Sequence, residues 1–256
     1  TAFDASSAVG YDLARYADLG HNWVIRETGI EYITPLLYDE TIEIKTWVAD
    51  FRRASSRRMY EFSRAGSDSL AARAYSDWVY IQRATGLPAP IPDEMKRAFL
   101  PDYDSGHFPE RPIFPNPPPA PKGAFTLTRR VEWQELDSLA RVNNAIYLDY
   151  ASECGFHAIA SYQWPWARMK AEGFGILLRS NQIQYQAPAV LEDELEITTW
   201  LSDVRAVQAI RHYSIKRSRD GAPIAMIHAL GVCVELSSGR PIRWPKAMLE
   251  DFAPGI

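Results

Sequence analysis

Polar and apolar residues alternate with the same phase in two distant stretches of this chain. In residues 41–51, Ile42, Ile44, Thr46 and Val48 fall on one face, and Glu43, Lys45 and Trp47 on the other. In residues 194–204, Leu195, Ile197, Thr199 and Leu201 share a face in the same way. A period of two predicts strands with one covered face. Each stretch is followed by two further strand-like runs, 57–64 and 70–82 in the first case and 210–217 and 223–235 in the second. The turns around Gly86-Leu87-Pro88 and Gly239-Arg240-Pro241, each followed by a short helix, close the two series. A different period governs residues 144–161, where Ala145, Leu148, Ala151, Gly155 and Ile159 step by three or four. That spacing predicts a helix with an apolar stripe, the natural cover for a long antiparallel sheet.

The two series are copies. Shifted by 153 residues, Arg26 meets Arg179, Tyr32 meets Tyr185, Pro35 meets Pro188, Trp47 meets Trp200 and Tyr60 meets Tyr213 without a gap. The period is too long for a solenoid and suits a small domain duplicated in tandem. We divide the chain into a first domain at 1–99, a Pro-rich linker at 100–123 and a second domain at 124–256. The run Pro115-Asn116-Pro117-Pro118-Pro119-Ala120-Pro121 lacks backbone donors for a sheet and is expected to run extended, at about 3 Å per residue. Residues 124–153 have no counterpart in the first copy, whose equivalent would lie before Thr1. The first domain is therefore expected to lack the N-terminal strand and loop of the second.

Composition narrows the class. A net charge of −4 gives no support to nucleic-acid binding. No apolar run approaches the length of a membrane span. Two cysteines, Cys154 and Cys233, make neither a disulfide framework nor a metal site, and fit a reducing, cytoplasmic compartment.

The chemistry-bearing segment is the one found only in the second copy: Asp137, then Val142-Asn143-Asn144-Ala145-Ile146-Tyr147. A strand ends, a loop carries a carboxylate and a helix begins at an Asn pair. The first turn of a helix has unpaired N–H groups and the positive end of a dipole, so a carbonyl placed there is polarised. A carboxylate seven residues earlier reaches the same spot as base toward water or as nucleophile. The combination suits acyl transfer.

This pattern, with the antiparallel meander and the closing Gly239-Arg240-Pro241 turn, resembles the hotdog-fold thioesterases, and within them the acyl-ACP thioesterases and the 4-hydroxybenzoyl-CoA thioesterase group. The resemblance covers essentially the whole chain. It implies an α+β fold of two tandem hotdog domains, each an antiparallel sheet wrapped around a central helix, packed as a pseudo-dimer with one site per pair. By position it implies Asp137 as the catalytic carboxylate and the backbone N–H of Asn144 as the oxyanion donor. The chain departs from the plant-type pattern. Leu139 and Arg141 stand where that type has Asn and His, Ala140 where Gly is usual, and Pro188 and Ala189 where a Glu-Cys pair is expected. An aspartate-only mechanism follows.

Other candidates carry two readings each. Asn143 caps or clamps the loop and orients the pocket. Glu153 is a second catalytic carboxylate or a solvated one. Arg141 and Tyr147 are candidate substrate-binding residues, Tyr147 alternatively packing helix to sheet with its hydroxyl on one partner. Trp164 and Trp166 line an acyl tunnel or plug the core. Arg52 and Arg57, with Arg53 and Arg58, contact CoA or carrier phosphates or form a solvated turn. The expected function is hydrolysis of acyl-ACP or acyl-CoA, with no metal and no cofactor beyond the CoA or phosphopantetheine of the substrate. The alternatives are a non-catalytic acyl-thioester-binding module and, with only His157 near the helix, a hotdog dehydratase. A monomer holding its own pseudo-dimer and a homodimer are both open.

Overall fold

The computed structural model describes residues 2–103 and 110–252, and the chain divides into two compact units, residues 1–113 and 114–256. The first unit begins with two short helices, α1 (Ala2–Ala8) and α2 (Leu13–Asp18). Four strands follow: β1 (His21–Tyr32), β2 (Ile42–Phe51), β3 (Ser55–Arg64) and β4 (Leu70–Gln82). A closing helix, α3, spans Asp93–Phe99. Its strands are antiparallel in the order β2-β3-β4-β1.

The second unit adds a strand, β5 (Phe125–Arg130), a single 3-10 turn at Trp133–Glu135 and the long helix α4 (Ile146–Ser161). It then repeats the first: α5 (Trp166–Ala171), β6 (Phe174–Tyr185), β7 (Glu194–Ser202), β8 (Gln208–Arg217), β9 (Pro223–Glu235) and α6 (Lys246–Phe252). Its antiparallel order is β6-β9-β8-β7-β5. A shift of 153 places β1 on β6, β3 on β8, β4 on β9, α2 on α5 and α3 on α6, end for end.

The helix predicted over 144–161 forms from 146 and lies against the sheet. Tyr147, Tyr150, Ala151 and Cys154 pack with Leu195, Ile197, Ile215 and Ile227 in one buried cluster. Small residues allow the close approach. A Cβ on Gly155 would lie 2.6 Å from the Tyr213 hydroxyl, so only glycine fits there without displacing helix or strand. Among the described residues the first unit keeps only the C-terminal half of this helix, since α1 falls on residues 155–161 after the shift, and the effect on its sheet is visible. Ile42 and Ile44 are exposed, whereas their equivalents Leu195 and Ile197 are fully buried.

The boundary between the units falls inside the Pro-rich stretch, part of which (residues 104–109) lies outside the described residues. Residues 110–121 form no helix or strand. Pro118 nevertheless anchors this stretch, since its carbonyl accepts from the Trp200 indole at 3.1 Å. No helix among the described residues is long and apolar enough to cross a membrane.

Candidate active site

The loop between β5 and α4 is a tight hairpin. Leu136 and Val142 form an antiparallel bridge, Asp137 N–H donates to the Arg141 carbonyl at 2.7 Å, and Ala140 N–H to the Asp137 carbonyl at 3.0 Å. Ala140 closes the turn with φ +56°, a left-handed conformation that glycine adopts freely and alanine does not. The resemblance places a glycine at this residue, so the backbone keeps the shape while the side chain departs from it. The Asp137 carboxylate is oriented from three directions. Oδ1 accepts from Leu139 N–H at 2.8 Å and Arg141 N–H at 3.4 Å, and Oδ2 from Arg141 Nε at 3.2 Å. Arg141 is thus the ion-pair partner of Asp137.

At the start of α4, the Asn143 side chain accepts from Ala145 N–H at 3.0 Å, the loop-clamp role expected for it. The Asn143 N–H donates to the Glu135 carbonyl, and the Asn144 carbonyl accepts from the Tyr185 hydroxyl at 3.0 Å. The Asn144 N–H has no hydrogen-bond partner among the described residues. Tyr147 is buried; its hydroxyl accepts from Ala189 N–H at 3.4 Å, and burial pushes its pKa up to about 12. Ala189 also accepts from Val142 N–H, so the pair Pro188-Ala189 lies against the loop with no side-chain carboxylate to offer.

A carboxylate that the motif reading passed over supports this loop from below. Glu135 is buried and accepts from Arg129 at 2.5 Å, from the Tyr150 hydroxyl at 2.6 Å and from Glu132 N–H at 2.8 Å. The Arg129 guanidinium lies 4.1 Å over the Tyr150 ring. Burial and the neighbouring carboxylate drive the Tyr150 pKa well above the usual phenol value. The Glu132-x-x-Glu135 spacing of a reciprocal cap is the sequence signal that marks it.

Several expected site residues lie elsewhere. Glu153 is an exposed partner of Arg129 at 2.7 Å, nine residues along from Asn144 and so about 13 Å down the helix. It does not join the Asp137 loop. Arg57 is neither a phosphate contact nor a solvated turn residue. It sits inside β3, buried, forked onto both Asp77 oxygens at 2.7 Å and stacked 4.1 Å over Tyr75. Arg52 stands in the turn before β3, where its N–H closes onto the Ser55 carbonyl. Trp164 is a core residue with no exposure, its indole donating to Asp251 at 2.9 Å. Trp166, two residues on, lines a cavity. His157 is exposed on α4.

That cavity, about 160 Å³, lies in the second unit under the C-terminal half of α4. Ile176, Leu201, Ala209, Gly231 and Met248 form its walls, with the exposed Phe156, Leu178 and Leu249 at its rim. The first unit has a cavity of about 50 Å³. All eleven residues lining the smaller one fall, after the 153-residue shift, on residues lining the larger. The same chamber was built twice and narrowed in the first unit. Trp23 stands for Ile176, Phe51 for Val204 and Trp78 for Gly231.

The family model of the thioesterase-like superfamily matches residues 2–99 and again 131–252. The chain belongs to this superfamily. Among solved structures, a candidate oleoyl thioesterase from Lactobacillus plantarum superposes with a TM-score of 0.74 at 18% identity, covering 90% of this chain and 84% of that one. An acyl-ACP thioesterase from Bacteroides thetaiotaomicron gives 0.66 at 18% identity with the same coverage. These likenesses establish the double hotdog fold of the superfamily. Among curated relatives, the chloroplastic acyl-[acyl-carrier-protein] hydrolase FATB2 of Cuphea viscosissima is 28% identical over 51% of this chain. The match spans 32% of that protein, about a third of its length. The long-chain acyl-CoA thioesterase FadM of Escherichia coli is 29% identical over 44% of this chain and 85% of its own length.

Proposed function

We propose that the protein hydrolyses acyl thioesters carried on CoA or an acyl carrier protein, using the Asp137 loop and the start of α4. One observation carries this reading. The N–H of Asn144 has no partner among the described residues, and it lies in the same short segment as an oriented carboxylate. A thioester carbonyl oxygen accepting from that N–H is polarised at a helix start, and the charge that develops on it is stabilised there. Asp137 either takes a proton from the attacking water or attacks the carbonyl carbon itself, forming an anhydride that water then opens. The thiol of the carrier leaves in both cases. Arg141 and Leu139 N–H hold the carboxylate in place, and the superfamily relatives named as acyl-ACP and acyl-CoA hydrolases support the substrate class.

The reading of a non-catalytic acyl-thioester-binding module rests on one feature, that the Asp137 oxygens are already bonded within their own loop. Thiol release from a panel of acyl-CoAs and acyl-ACPs separates the two. Asp137→Asn is expected to lower turnover by about a hundredfold or more with folding unchanged. Thioester binding without any thiol release would decide for the module, and equal turnover by wild type and variant would keep the hydrolase but remove Asp137 from its chemistry. Label found in Asp137 after a single turnover in 18O water would establish nucleophilic attack with the anhydride opened at the aspartyl carbon, whereas label in the product acid alone is common to general-base catalysis and to opening at the acyl carbon.

A further inference from the structure

The open chamber of the second unit is lined by one charged side chain, and among the described residues that charge has no counter-ion. Arg211 lines the chamber and donates to the Thr199 hydroxyl at 3.3 Å. Among the described residues no carboxylate pairs with it. The arrangement is inherited from the duplication. Arg58 in the first unit donates to the Thr46 hydroxyl at the same 3.3 Å, also without a carboxylate. There the guanidinium is sealed at 6% exposure, and burial drives its pKa down. A guanidinium placed in apolar surroundings without an anion is costly, and a site that admits an anion offsets that cost. In the first unit Trp23, Phe51 and Trp78 occupy the space where such an anion would enter. In the second, Ile176, Val204 and Gly231 leave it free.

We propose that this chamber binds an amphipathic monocarboxylate, with its carboxylate on Arg211 and its apolar body between α4 and the sheet, and that Gly231 keeps the chamber open. The size fits a modest ligand. An apolar cavity of about 150 Å³ holds one benzene, so about 160 Å³ takes a ring or a short alkyl segment, with any longer tail lying along the rim at Phe156, Leu178 and Leu249. The guanidinium fork matches a carboxylate in plane and charge, which an alcohol or an alkane does not. Gly231 has no room for a larger residue unless the chamber yields, since an added Cβ would already lie 3.1 Å from Ile176 Cγ2. One ligand-sized chamber per chain is predicted, because its twin is narrowed to about 50 Å³. The inference concerns binding and stands whether or not the Asp137 loop turns over thioesters.

Isothermal titration of the full chain at pH 7 with octanoate and with 1-octanol tests it. One octanoate per chain is expected, bound about tenfold or more tighter than the alcohol, the size of one charge-assisted hydrogen-bonded pair. Arg211→Gln is expected to remove that preference and leave octanol binding within about twofold. Gly231→Trp, and independently Ile176→Trp, copy the narrowed chamber and are expected to remove both ligands, with melting curves confirming folding. Two octanoates per chain, or octanol bound as tightly as octanoate to the wild type, would overturn the proposal without reference to any variant. Octanoate binding unaltered in folded Ile176→Trp would overturn the location.

Discussion

At the scale of single residues, the loop is a case of backbone surviving a change of side chain. Ala140 adopts φ +56° because the hairpin closed by Leu136 and Val142 requires a left-handed residue there. An L-residue with a Cβ in that region is disfavoured by about 1–2 kcal/mol. Ala140→Gly is therefore expected to stabilise the protein by about 1 kcal/mol, after allowing for the greater freedom of glycine in the unfolded chain. Urea denaturation measures it; a loss of stability would mean that the turn is not what the geometry says. The same scale explains which candidate residues the sequence misplaced. Ser55-Ser56-Arg57-Arg58 reads as a polar turn because nothing local shows that Asp77, twenty residues away, will lie opposite Arg57 in the next strand. Trp164 and Trp166 are two residues apart and face core and cavity respectively, a difference set by the start of α5 rather than by composition. The loop that carries Asp137 and the Asn pair was legible because its residues lie close together in the sequence.

At the scale of elements, strands were easier to read than what covers them. The alternation in β2 and β7 is equally clear in the sequence, yet Ile42 is exposed and Leu195 is buried, because β7 has β5 beside it and the whole of α4 against it, whereas β2 has only the short α1 among the described residues. The helix itself was legible from its stripe of small residues, and that stripe sets its distance from the sheet. Gly155→Ala forces a Cβ into the Tyr213 hydroxyl at 2.6 Å, and overpacking of this kind costs about 1–3 kcal/mol. The better helix propensity of alanine offsets roughly 1 kcal/mol of it. The net expectation is destabilisation that Tyr213→Phe relieves, so that the double variant is more stable than Gly155→Ala alone. A double-mutant cycle by denaturant melting checks this, and strict additivity would show that helix and strand do not meet there.

For the whole molecule, one pH-sensitive feature is a pair of imidazoles, His212 buried and His228 half-buried. His212 in β8 and His228 in β9 pack edge to face at 5.0 Å, and His212 also stacks on Trp200 and bonds Ser202 at 2.7 Å. Burial, then the neighbouring His228, lowers the His212 pKa to about 4, and burial lowers that of His228 as well. Above the unfolded value of about 6.5 both states are neutral and the pair is fully tolerated. As pH falls from there toward 4, the unfolded chain takes up protons that the folded one refuses, so stability declines through that window. The melting temperature is expected to drop between pH 7 and pH 4.5, with a shallower slope in His212→Gln. Equal slopes would exclude the pair as the source.

The narrowed chamber of the first unit bears on how the two copies can diverge further. Trp23, Phe51 and Trp78 border a space of about 50 Å³ where their smaller equivalents border one of about 160 Å³, so reopening the first chamber means trimming several large side chains. Each such step costs about 3–5 kcal/mol, a large part of the margin by which a domain stays folded. Narrowing proceeds one substitution at a time, whereas reopening requires several at once. The duplication thus has a direction, and mutational drift under selection for folding will keep the asymmetry of the two halves rather than erase it.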